Sequence, residues 1–375
     1  MLFNRRNMLA LLMVASIEGT IRFSQVSRHQ ECPLPLKKSV PNSPPTSQNF
    51  PYFYQLNNKY DPYGSCLLTS TAMVLGCLGK TVSPDSLYLE FQKRNLDRFL
   101  HSDIQYLLNE YEIDDNWSTN HQWSRVISHL KAGYPAIFSG PVSFTSRGHV
   151  IVLLGVEDDN FSCHDPYGKF DGTKYLNKPE AGKFVHYSRE LIFAQSAGGS
   201  ATTWAHLCQP HQPLKRVIGD ENCSQQFKNK VRLVAKKINC DPSDLMAVIS
   251  WESDGTFSPS KQNYAGSGAT GLIQFMPHTA LALGTTTQVL AQMTALDQLD
   301  YVEEYFNMID PAKLKKSLAD LYMAVLYPKA IGKSLNYGLF TTPGIAYQQN
   351  SGLDINRDGT ISVSEAVAKI QARFI

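Results

Sequence analysis

Hydrophobic and polar positions divide the chain into a mixed region and a helical region. From Cys66 to Leu78, small and apolar residues follow one another, which is typical of a helix buried in a core. Helical periodicity continues to about Leu130. Strand-like runs then follow in the stretches PAIFSG, HVIVLLGV and NFSCHD, with acidic turns between them. Helices first and a sheet second predict an α+β domain.

The pattern changes near residue 215. A loop is predicted at residues 196–200 and a last strand at 204–208, and from Cys223 onward the chain has a helical pattern with few strand signals. Residues 33–51 are rich in Pro and Ser and are predicted to be a linker. The predicted organisation is an N-terminal helix with this linker (1–49), an α+β domain (50–214), a helical domain (215–350) and a terminal loop with its closing helix (351–375).

The first residues, MLFNRRNMLALLMVASIEG, place two arginines before an apolar run from Met8 to Ala15. Val14 and Ser16 are small enough for a signal-peptidase site, which predicts a short export signal. An amphipathic helix that ends near Gly19 would explain the same residues. No other run is apolar for long enough to span a bilayer, so no membrane span is predicted.

Charge and cysteine content narrow the functional classes. The chain has 35 basic and 33 acidic residues and is 43% hydrophobic, which argues against disorder and against a nucleic-acid partner. Seven cysteines include no Cys-x-x-Cys pair and no zinc pattern. Cys208, Cys223 and Cys240 lie close in sequence and could include a disulfide if the protein works outside the cell.

One candidate catalytic group combines a thiol, an imidazole and a carboxylate. Cys66 opens its helix after the loop DPYGS, where the helix dipole favours a thiolate. His149 stands after a glycine at the start of a buried strand. The turn EDDN should fold the next strand back antiparallel and bring Asp165 close to His149, where a carboxylate could hold the imidazole tautomer.

Residues 50–209 resemble the bacteriocin-leader-processing branch of the papain-like cysteine peptidases, through the sequence pattern YFYQ…C…TSTAMVLGCLG…GHVIVLLGV…DPYG. The resemblance implies a papain-like α+β fold. It also implies Cys66 as nucleophile, His149 as base, Asp165 as the residue that orients the base, and Gln55 as a side-chain donor to the oxyanion.

A second candidate lies in ISWESDGTFSPSKQNYAGSGATGLIQF. The run DPSDLMAVISWES predicts a helix that begins at Pro242 or Ser243 and ends at Glu252, beside Trp251. A carboxyl group that leaves an apolar helix without an evident basic partner loses solvation and keeps its proton to higher pH, so Glu252 is a candidate general acid. The glycine-rich stretch that follows would let the backbone approach a sugar closely.

Residues 223–350, which include this sequence, resemble the superfamily of soluble lytic transglycosylases and goose-type lysozymes. The resemblance implies a mostly helical lysozyme-like fold with Glu252 as the catalytic acid. It also implies substrate contacts by four residues, which are Ser253, Gly271, Gln274 and Tyr347. Similar modules occur in bacteriophage and prophage wall-degrading proteins.

Hydrolysis at such a site would need a second carboxylate. Asp254 is the only acid close to Glu252 in sequence, and on a turn two residues later its side chain should point elsewhere. The lytic transglycosylase route is therefore favoured, in which a hydroxyl of the substrate attacks and an anhydro-muramyl end forms. Glu252 would act first as acid and then as base.

The stretch DINRDGTISVSE matches the twelve-residue calcium loop of an EF-hand. Gly359 occupies the sharp turn, and Ile361 should pack inward. A single loop favours a structural Ca²⁺ ion that pins the C-terminus over a regulatory sensor. The predicted ligands are the side chains of Asp354, Asn356, Asp358 and Glu365 and the carbonyl of Thr360.

Taken together, the sequence predicts a multidomain α+β protein that degrades peptidoglycan outside the cytoplasm, either on a virion or after secretion. Its partners would be the glycan and the stem peptides of the wall, with phage tail or virion proteins as further candidates. Two other interpretations stay open. One is a virion or tail component that binds the wall with weak or no catalysis, and the other is a processing peptidase anchored by an inactive lysozyme-like domain.

Overall fold

The computed structural model of the chain describes residues 50–119, 123–140, 148–158, 160–192, 204–264, 266–314 and 317–375. The predicted export signal, nearly all of the Pro/Ser-rich linker and the loop at 196–200 lie outside these residues. Within them, no helix combines the length and the apolar character that a membrane crossing requires.

Four helices of the described N-terminal region come before or between the first strands. Ser83 caps the second of them reciprocally with Ser86, and Pro84 starts it. The first helix is buried on nearly all sides, which explains its unbroken apolar sequence. Their bounds are α1 Cys66–Cys77, α2 Pro84–Lys93, α3 His101–Glu110 and α4 Trp123–Lys131.

The described strands of this region form an antiparallel sheet and a small hairpin. The strands are β1 Ile113–Asp115, β2 Ser118–Thr119, β3 Ala136–Gly140, β4 His149–Glu157, β5 Asn160–His164, β6 Lys169–Phe170, β7 Tyr175–Leu176, β8 Val185–Ser188 and β9 Trp204–Pro210. The sheet order is β1-β9-β3-β4-β5-β8, β2 also pairs with β9, and β6 pairs with β7. The three predicted strand runs are confirmed as β3, β4 and β5, whereas β1 and β2 are too short to show an alternating pattern.

Each face of the sheet covers its own apolar cluster. Helices α1 to α3 pack on one face, with Val150, Val152 and Leu154 of β4 pointing toward them. Helix α4 packs on the other face, through Val126 and Leu130. Because both faces are covered, β4 is apolar at nearly every position instead of alternating.

The described C-terminal region is mostly helical and has one continuous core. Asp241 caps the helix that ends at Glu252, by accepting a hydrogen bond from the Ser243 N–H. The helices are α5 Gln225–Lys237, α6 Pro242–Glu252, α7 Pro277–Ala282, α8 Thr287–Gln292, α9 Ala295–Ile309, α10 Leu318–Leu326, α11 Ile345–Asn350 and α12 Val363–Gln371. A two-stranded sheet of β10 (Gly338–Thr341) and β11 (Thr360–Ser362) completes the region. An α+β region followed by a helical region confirms the predicted fold class.

Residues 373–375 pair with residues 216–218, at the start of the helical region. The Ile218 N–H donates to the Arg373 carbonyl at 2.8 Å, and the Ile375 N–H donates to the Arg216 carbonyl at 3.1 Å. The Arg373 guanidinium also donates to the hydroxyl and the carbonyl of Ser250, at 3.0 and 3.1 Å. Ser250 lies two residues before Glu252, so the C-terminal segment supports the helix that carries the candidate acid.

The described residues belong to one compact unit, and the sheet region contacts the helical region directly. The Asn109 side chain on α3 donates to the Asn229 carbonyl on α5 at 3.1 Å. The Lys236 ammonium on α5 contacts the Asp115 carbonyl on β1. Strand β9 ends at Pro210 and α5 begins at Gln225; the boundary between residues 214 and 215 stays a prediction.

The disulfide considered for the three nearby cysteines is not formed. Cys208 is buried in β9, and Cys223 and Cys240 are partly buried at opposite ends of α5. All three are free thiols, as are Cys66, Cys77 and Cys163 in the same described part of the chain. Closeness in sequence does not bring these sulfur atoms together, because a helix separates Cys223 from Cys240.

Candidate active sites

Cys66 and His149 meet where a helix and a strand both begin. Cys66 is the first residue of α1, and His149 is the first residue of β4, after Gly148 in a left-handed conformation with φ of 83°. The Ser70 hydroxyl on α1 donates to the Val150 carbonyl on β4 at 3.2 Å and holds the two elements together. The side chains of Cys66 and His149 are hydrogen-bonded. Helix and strand therefore bring the thiol to the imidazole.

Asp165 holds the other side of the imidazole. Antiparallel pairing of β4 with β5 brings it back to His149, and its Oδ1 lies 2.7 Å from His149 Nε2. The carboxylate is fully buried and accepts hydrogen bonds from the Tyr167 N–H and from the hydroxyls of Tyr175 and Tyr187, at 3.0, 3.0 and 2.8 Å. Four donors compensate a buried charge that would otherwise be costly.

The charge of His149 follows from these contacts. Burial alone would lower the pKa of His149, but the attraction of Asp165 and the hydrogen bonds with Asp165 and Cys66 outweigh it and raise the pKa to about 10. An imidazolium next to a thiol is the arrangement that activates a cysteine nucleophile. The His149 imidazolium can therefore deliver a proton to a leaving amine.

Gln55 lies beside this group but uses its side chain within the protein. It opens a short 3₁₀ helix, Gln55–Asn57, and its backbone N–H donates to the Pro166 carbonyl at 2.8 Å. Its Nε2 donates to the Pro62 carbonyl at 3.0 Å, and its buried Oε1 has no hydrogen-bond partner in the part of the chain that the structure describes. Nε2 also carries a second N–H besides the one that it donates to Pro62.

Glu252 ends α6 as predicted and lies in an apolar environment. Burial raises its pKa from 4.5 to about 8, although a hydrogen bond with the Tyr322 hydroxyl acts in the opposite direction. Among the described residues, no Lys, Arg or His forms an ion pair with it. A carboxyl group with this pKa keeps its proton at neutral pH, which is the requirement for a general acid.

Tyrosines from two later helices surround this carboxyl group. Tyr322 on α10 is buried, hydrogen-bonds to Glu252 and accepts a hydrogen bond from the Trp251 side chain. Tyr305 on α9 donates to the Ala324 carbonyl at 2.6 Å and lies close enough to Glu252 for its pKa to be raised further, beyond the effect of burial. The sequence analysis assigns no role to Tyr322. Its helical position among apolar residues is the signal that it faces the core.

Two of the residues expected to contact a substrate have structural roles in the protein. Ser253 is fully buried, and its hydroxyl donates to the Ile249 carbonyl at 2.7 Å and accepts from the Phe257 N–H at 3.0 Å. Gly271 has φ of 89°, and a Cβ placed there would lie 2.2 Å from Gln298 Oε1. A contact of these residues with a substrate stays a prediction. Ser253 closes the turn after Glu252, and Gly271 makes room for Gln298.

Gln274 and Asp254 organise the glycine-rich hairpin. Gln274 Nε2 donates to the carbonyls of Lys261 and Gly271, at 3.0 and 3.1 Å, which leaves Oε1 as its atom for a ligand. Asp254 is exposed and pairs with the Lys261 ammonium at 3.3 Å. As predicted, the acid two residues after Glu252 points elsewhere.

The predicted calcium loop has the expected backbone, but its carboxylates accept hydrogen bonds from backbone N–H groups of the loop itself. Gly359 has φ of 84°, and Ile361 is fully buried as expected. Asp354 Oδ2 accepts from the Gly359 N–H at 3.0 Å, and Glu365 Oε1 accepts from the Ile355 N–H at 3.0 Å. Among the described residues, no group of three His, Cys, Asp or Glu side chains is gathered closely enough to hold a metal ion.

Tyr347 on α11 contacts the predicted calcium loop. Its hydroxyl donates to Asp354 Oδ2 at 2.7 Å, which lowers the pKa of Asp354. The loop carboxylates form no ion pairs with basic side chains in the described residues. Their oxygens are of the hard type that Ca²⁺ prefers, so the donor chemistry fits the ion while the side chains would have to turn toward it.

We expect the burial of Glu252 to make stability depend on pH. The folded state holds a proton that the unfolded chain releases near pH 4.5, so this residue costs stability progressively between about pH 4.5 and pH 8. Glu252→Gln removes the cost and should raise the melting temperature more at pH 8 than at pH 5. An equal effect of the substitution at both pH values would contradict the raised pKa.

Two family models match separate parts of the chain. The family model described as "Peptidase_C39 like family" matches residues 47–194, which include Cys66, His149 and Asp165. The model described as "Transglycosylase SLT domain" matches residues 231–304, which include Glu252. No curated protein is similar enough to the chain to count as a match.

A solved structure is also similar to part of the chain. It is the crystal structure of a protein from Bacillus anthracis that is described as a C39-like peptidase. The similarity covers 43% of this chain and 96% of that one, at 17% identity and a TM-score of 0.29. The assignment of the regions depends on the family matches. The SLT match indicates an enzyme that acts on peptidoglycan, and the C39-like match indicates a peptidase. Residues 47–194 of the chain are therefore similar to the Peptidase_C39-like family, and residues 231–304 are similar to the transglycosylase SLT family.

Proposed function

We propose that the chain opens the peptidoglycan network at two kinds of bond. One active site would cut glycan between N-acetylmuramic acid and N-acetylglucosamine, and the other would cut wall peptides. The observation that supports this proposal best is the position of Glu252 beside Tyr322, where burial raises its pKa to about 8, while Asp254 is exposed and pairs with Lys261. Because the polymer lies outside the cytoplasm, the protein would act there, on a virion or after secretion.

In the glycan reaction, Glu252 would donate its proton to the glycosidic oxygen as the bond from that oxygen to the muramyl C1 breaks. A hydroxyl of the same muramyl residue then forms the new bond to C1 and returns its proton to Glu252. The products are an anhydro-muramyl end and a free hydroxyl on the leaving sugar. Asp254 supports this route because its exposed ion pair with Lys261 keeps it from activating water on the other face.

In the peptide reaction, the Cys66 sulfur would attack the scissile carbonyl while His149 gives its proton to the leaving amine. Water then hydrolyses the thioester, with His149 as base. Asp165 would keep the imidazole ring in orientation through its 2.7 Å contact with Nε2. Gln55 would stabilise the oxyanion after its amide turns away from Pro62.

The glycan activity is tested with Glu252→Gln, which keeps the shape of the side chain but cannot donate the proton. Purified sacculi treated with wild type should release anhydro-muropeptides, and the substitution should reduce the rate by at least about a thousandfold. Asp254→Asn is the matched control and should keep most of the activity. Equal release by wild type and Glu252→Gln would favour the rival proposal, a virion or tail component that binds the wall without cutting it.

The peptide activity is tested with Cys66→Ala and Asp165→Asn. Cys66→Ala should abolish the cleavage of wall peptides, and Asp165→Asn should reduce its rate strongly, because the imidazole loses the carboxylate that sets its tautomer and charge. Cys77→Ala, on the same helix, is the matched control. If Cys66→Ala leaves wall peptides unchanged but blocks cleavage of a leader or another protein, the processing-peptidase proposal takes its place.

We also propose that the terminal loop binds a structural Ca²⁺ ion. Five residues would hold it, through the side chains of Asp354, Asn356, Asp358 and Glu365 and the carbonyl of Thr360. When bound, the ion would supply positive charge that holds these oxygens together. Because α12 follows the loop and leads to Arg373, the ion would stabilise the segment that supports α6.

Calcium binding should appear in thermal unfolding. Millimolar CaCl₂ should raise the melting temperature of wild type by several degrees relative to EDTA, since a ligand that binds only the folded state stabilises it. Glu365→Gln should lose this increase, and Glu303→Gln, an exchange of the same kind on α9, should keep it. An identical melting temperature with calcium and with EDTA would contradict the site.

A further inference from the structure

An exposed tyrosine, Tyr264, lies on the glycine-rich hairpin that follows Glu252. It is 87% exposed, the largest fraction among the exposed large hydrophobic residues of the described part of the chain. A single exposed aromatic residue is common on protein surfaces and by itself indicates nothing. Tyr264 differs from such residues in two respects, which are the contacts that hold its ring and its position near Glu252.

Lys261 holds the ring of Tyr264 in place. The Lys261 ammonium donates to the Tyr264 hydroxyl at 2.7 Å and lies 4.3 Å from the centre of the ring. Only 16% of the Lys261 side chain is exposed, so the lysine itself has little freedom to move. A surface side chain normally loses conformational entropy when a ligand fixes it, and a ring that is already held loses less. Tyr264 therefore offers a pre-organised aromatic surface to the solvent.

Lys261 also connects the tyrosine to the Glu252 site. Its carbonyl accepts from the Gly271 N–H at 2.7 Å and from Gln274 Nε2 at 3.0 Å, and Gln274 is a predicted substrate contact. Its ammonium lies 3.3 Å from the carboxylate of Asp254, two residues after Glu252. The tyrosine ring therefore lies at the end of α6 that carries the candidate acid, beside the side chain expected to bind the glycan.

The charge around the ring favours a neutral ligand. Asp254 and Lys261 compensate each other, so their pair selects neither an anion nor a cation. The face of an aromatic ring carries negative partial charge and attracts the weakly positive C–H groups of a ligand. N-acetylglucosamine is neutral and presents such C–H groups on the faces of its pyranose ring. A sugar therefore matches this surface better than a charged peptide does.

We propose that Tyr264 is a glycan-binding residue of the helical region, on whose ring a sugar stacks while the bond at Glu252 is cut. Lys261 is the positioning residue that holds the ring. The stacked sugar lies beyond the two sugars whose bond is cut, because the contacts from Glu252 to Tyr264 run through the side chains of Asp254 and Lys261. This subsite deepens the proposed glycan function and rests on it for the identity of the ligand.

Binding of a neutral oligosaccharide tests the subsite directly. Full-length protein with Cys66→Ala and Glu252→Gln, which should cut neither wall peptides nor glycan, is titrated with hexa-N-acetylchitohexaose by calorimetry. Adding Tyr264→Ala should weaken binding about three- to tenfold, because one stacking contact is lost. Tyr264→Phe keeps the ring and should bind within about twofold of the parent protein. Tyr63→Ala, at a 78% exposed tyrosine of the sheet region, is the matched control.

A double-mutant cycle separates the positioning role of Lys261 from a purely structural one. Lys261→Met alone should weaken binding of the oligosaccharide, since the ring is no longer held. In protein that already carries Tyr264→Ala, the same change should weaken binding by less than about twofold further, because no ring is left to position. An equal loss in both backgrounds would show that Lys261 acts on the site without Tyr264 and would overturn its role as the positioning residue.

Kinetics distinguish a binding residue from one that takes part in the chemistry. In the otherwise wild-type protein, Tyr264→Ala should raise the KM for peptide-free glycan strands by the same factor by which it weakens binding. It should change kcat less than about twofold, because the ring contacts the ground state and the transition state alike. A large fall in kcat at unchanged KM would overturn the assignment of Tyr264 as a binding residue.

The outcomes distinguish the subsite from the glycan activity itself. If wild type cuts glycan and Glu252→Gln does not, the glycan function holds. Unchanged oligosaccharide binding by Tyr264→Ala, or an equal loss with Tyr264→Phe, then overturns the subsite alone. If wild type binds the oligosaccharide without cutting glycan, and Tyr264→Ala weakens that binding, the subsite holds and the cutting of glycan fails. If wild type neither cuts glycan nor binds the oligosaccharide, both proposals fail.

Discussion

The desolvation of one carboxyl group is the constraint on which the helical region depends. Glu252 lies at the end of α6 among Trp251, Tyr305 and Tyr322, and its contact with a neutral phenol does not compensate a full negative charge. Keeping water away requires that α6, α9 and α10 stay packed together. The support of α6 by Arg373, and of Arg373 by the terminal helix, serves the same packing.

The two candidate carboxylates show how their surroundings set opposite roles. Asp165 is fully buried, yet two hydroxyls, a backbone N–H and an imidazole donate to it, so it can orient His149. Glu252 has one phenol and no cation, so it keeps a proton that it can give away. Asp165 is fully buried and Glu252 is half-buried, and the two carboxyl groups differ in the number of donors around them. A single chain can therefore carry thiol and acid chemistry at the same pH.

The sequence allowed the elements that carry the chemistry to be predicted, because their signals are local. A glycine before a branched apolar run marked the start of β4 at His149, and an Asp-Pro pair marked the entry of α6, which ends at Glu252. The turn between β4 and β5 was short enough to imply that Asp165 returns to His149. These inferences need only periodicity and turn chemistry.

The partners of these groups could not be predicted, because they come from distant segments. Tyr322 reaches Glu252 from seventy residues later in the chain, and Tyr187 reaches Asp165 from another strand. No local pattern distinguishes them from ordinary core tyrosines. The contacts of Ser253 could not be predicted either, since the resemblance implied only a substrate contact, whereas in the structure its hydroxyl forms hydrogen bonds within the turn after Glu252.

The ionisation of Glu252 itself is the most direct test of the proposed glycan chemistry. Its carboxyl carbon, labelled with ¹³C and identified by comparison with Glu252→Gln, can be titrated by NMR. The midpoint should lie near pH 8, and Tyr322→Phe should raise it further, because the lost hydrogen bond stabilises the charged form. A midpoint near 4.5, the ordinary value for a glutamate, would show that the group is charged at neutral pH and cannot serve as the acid.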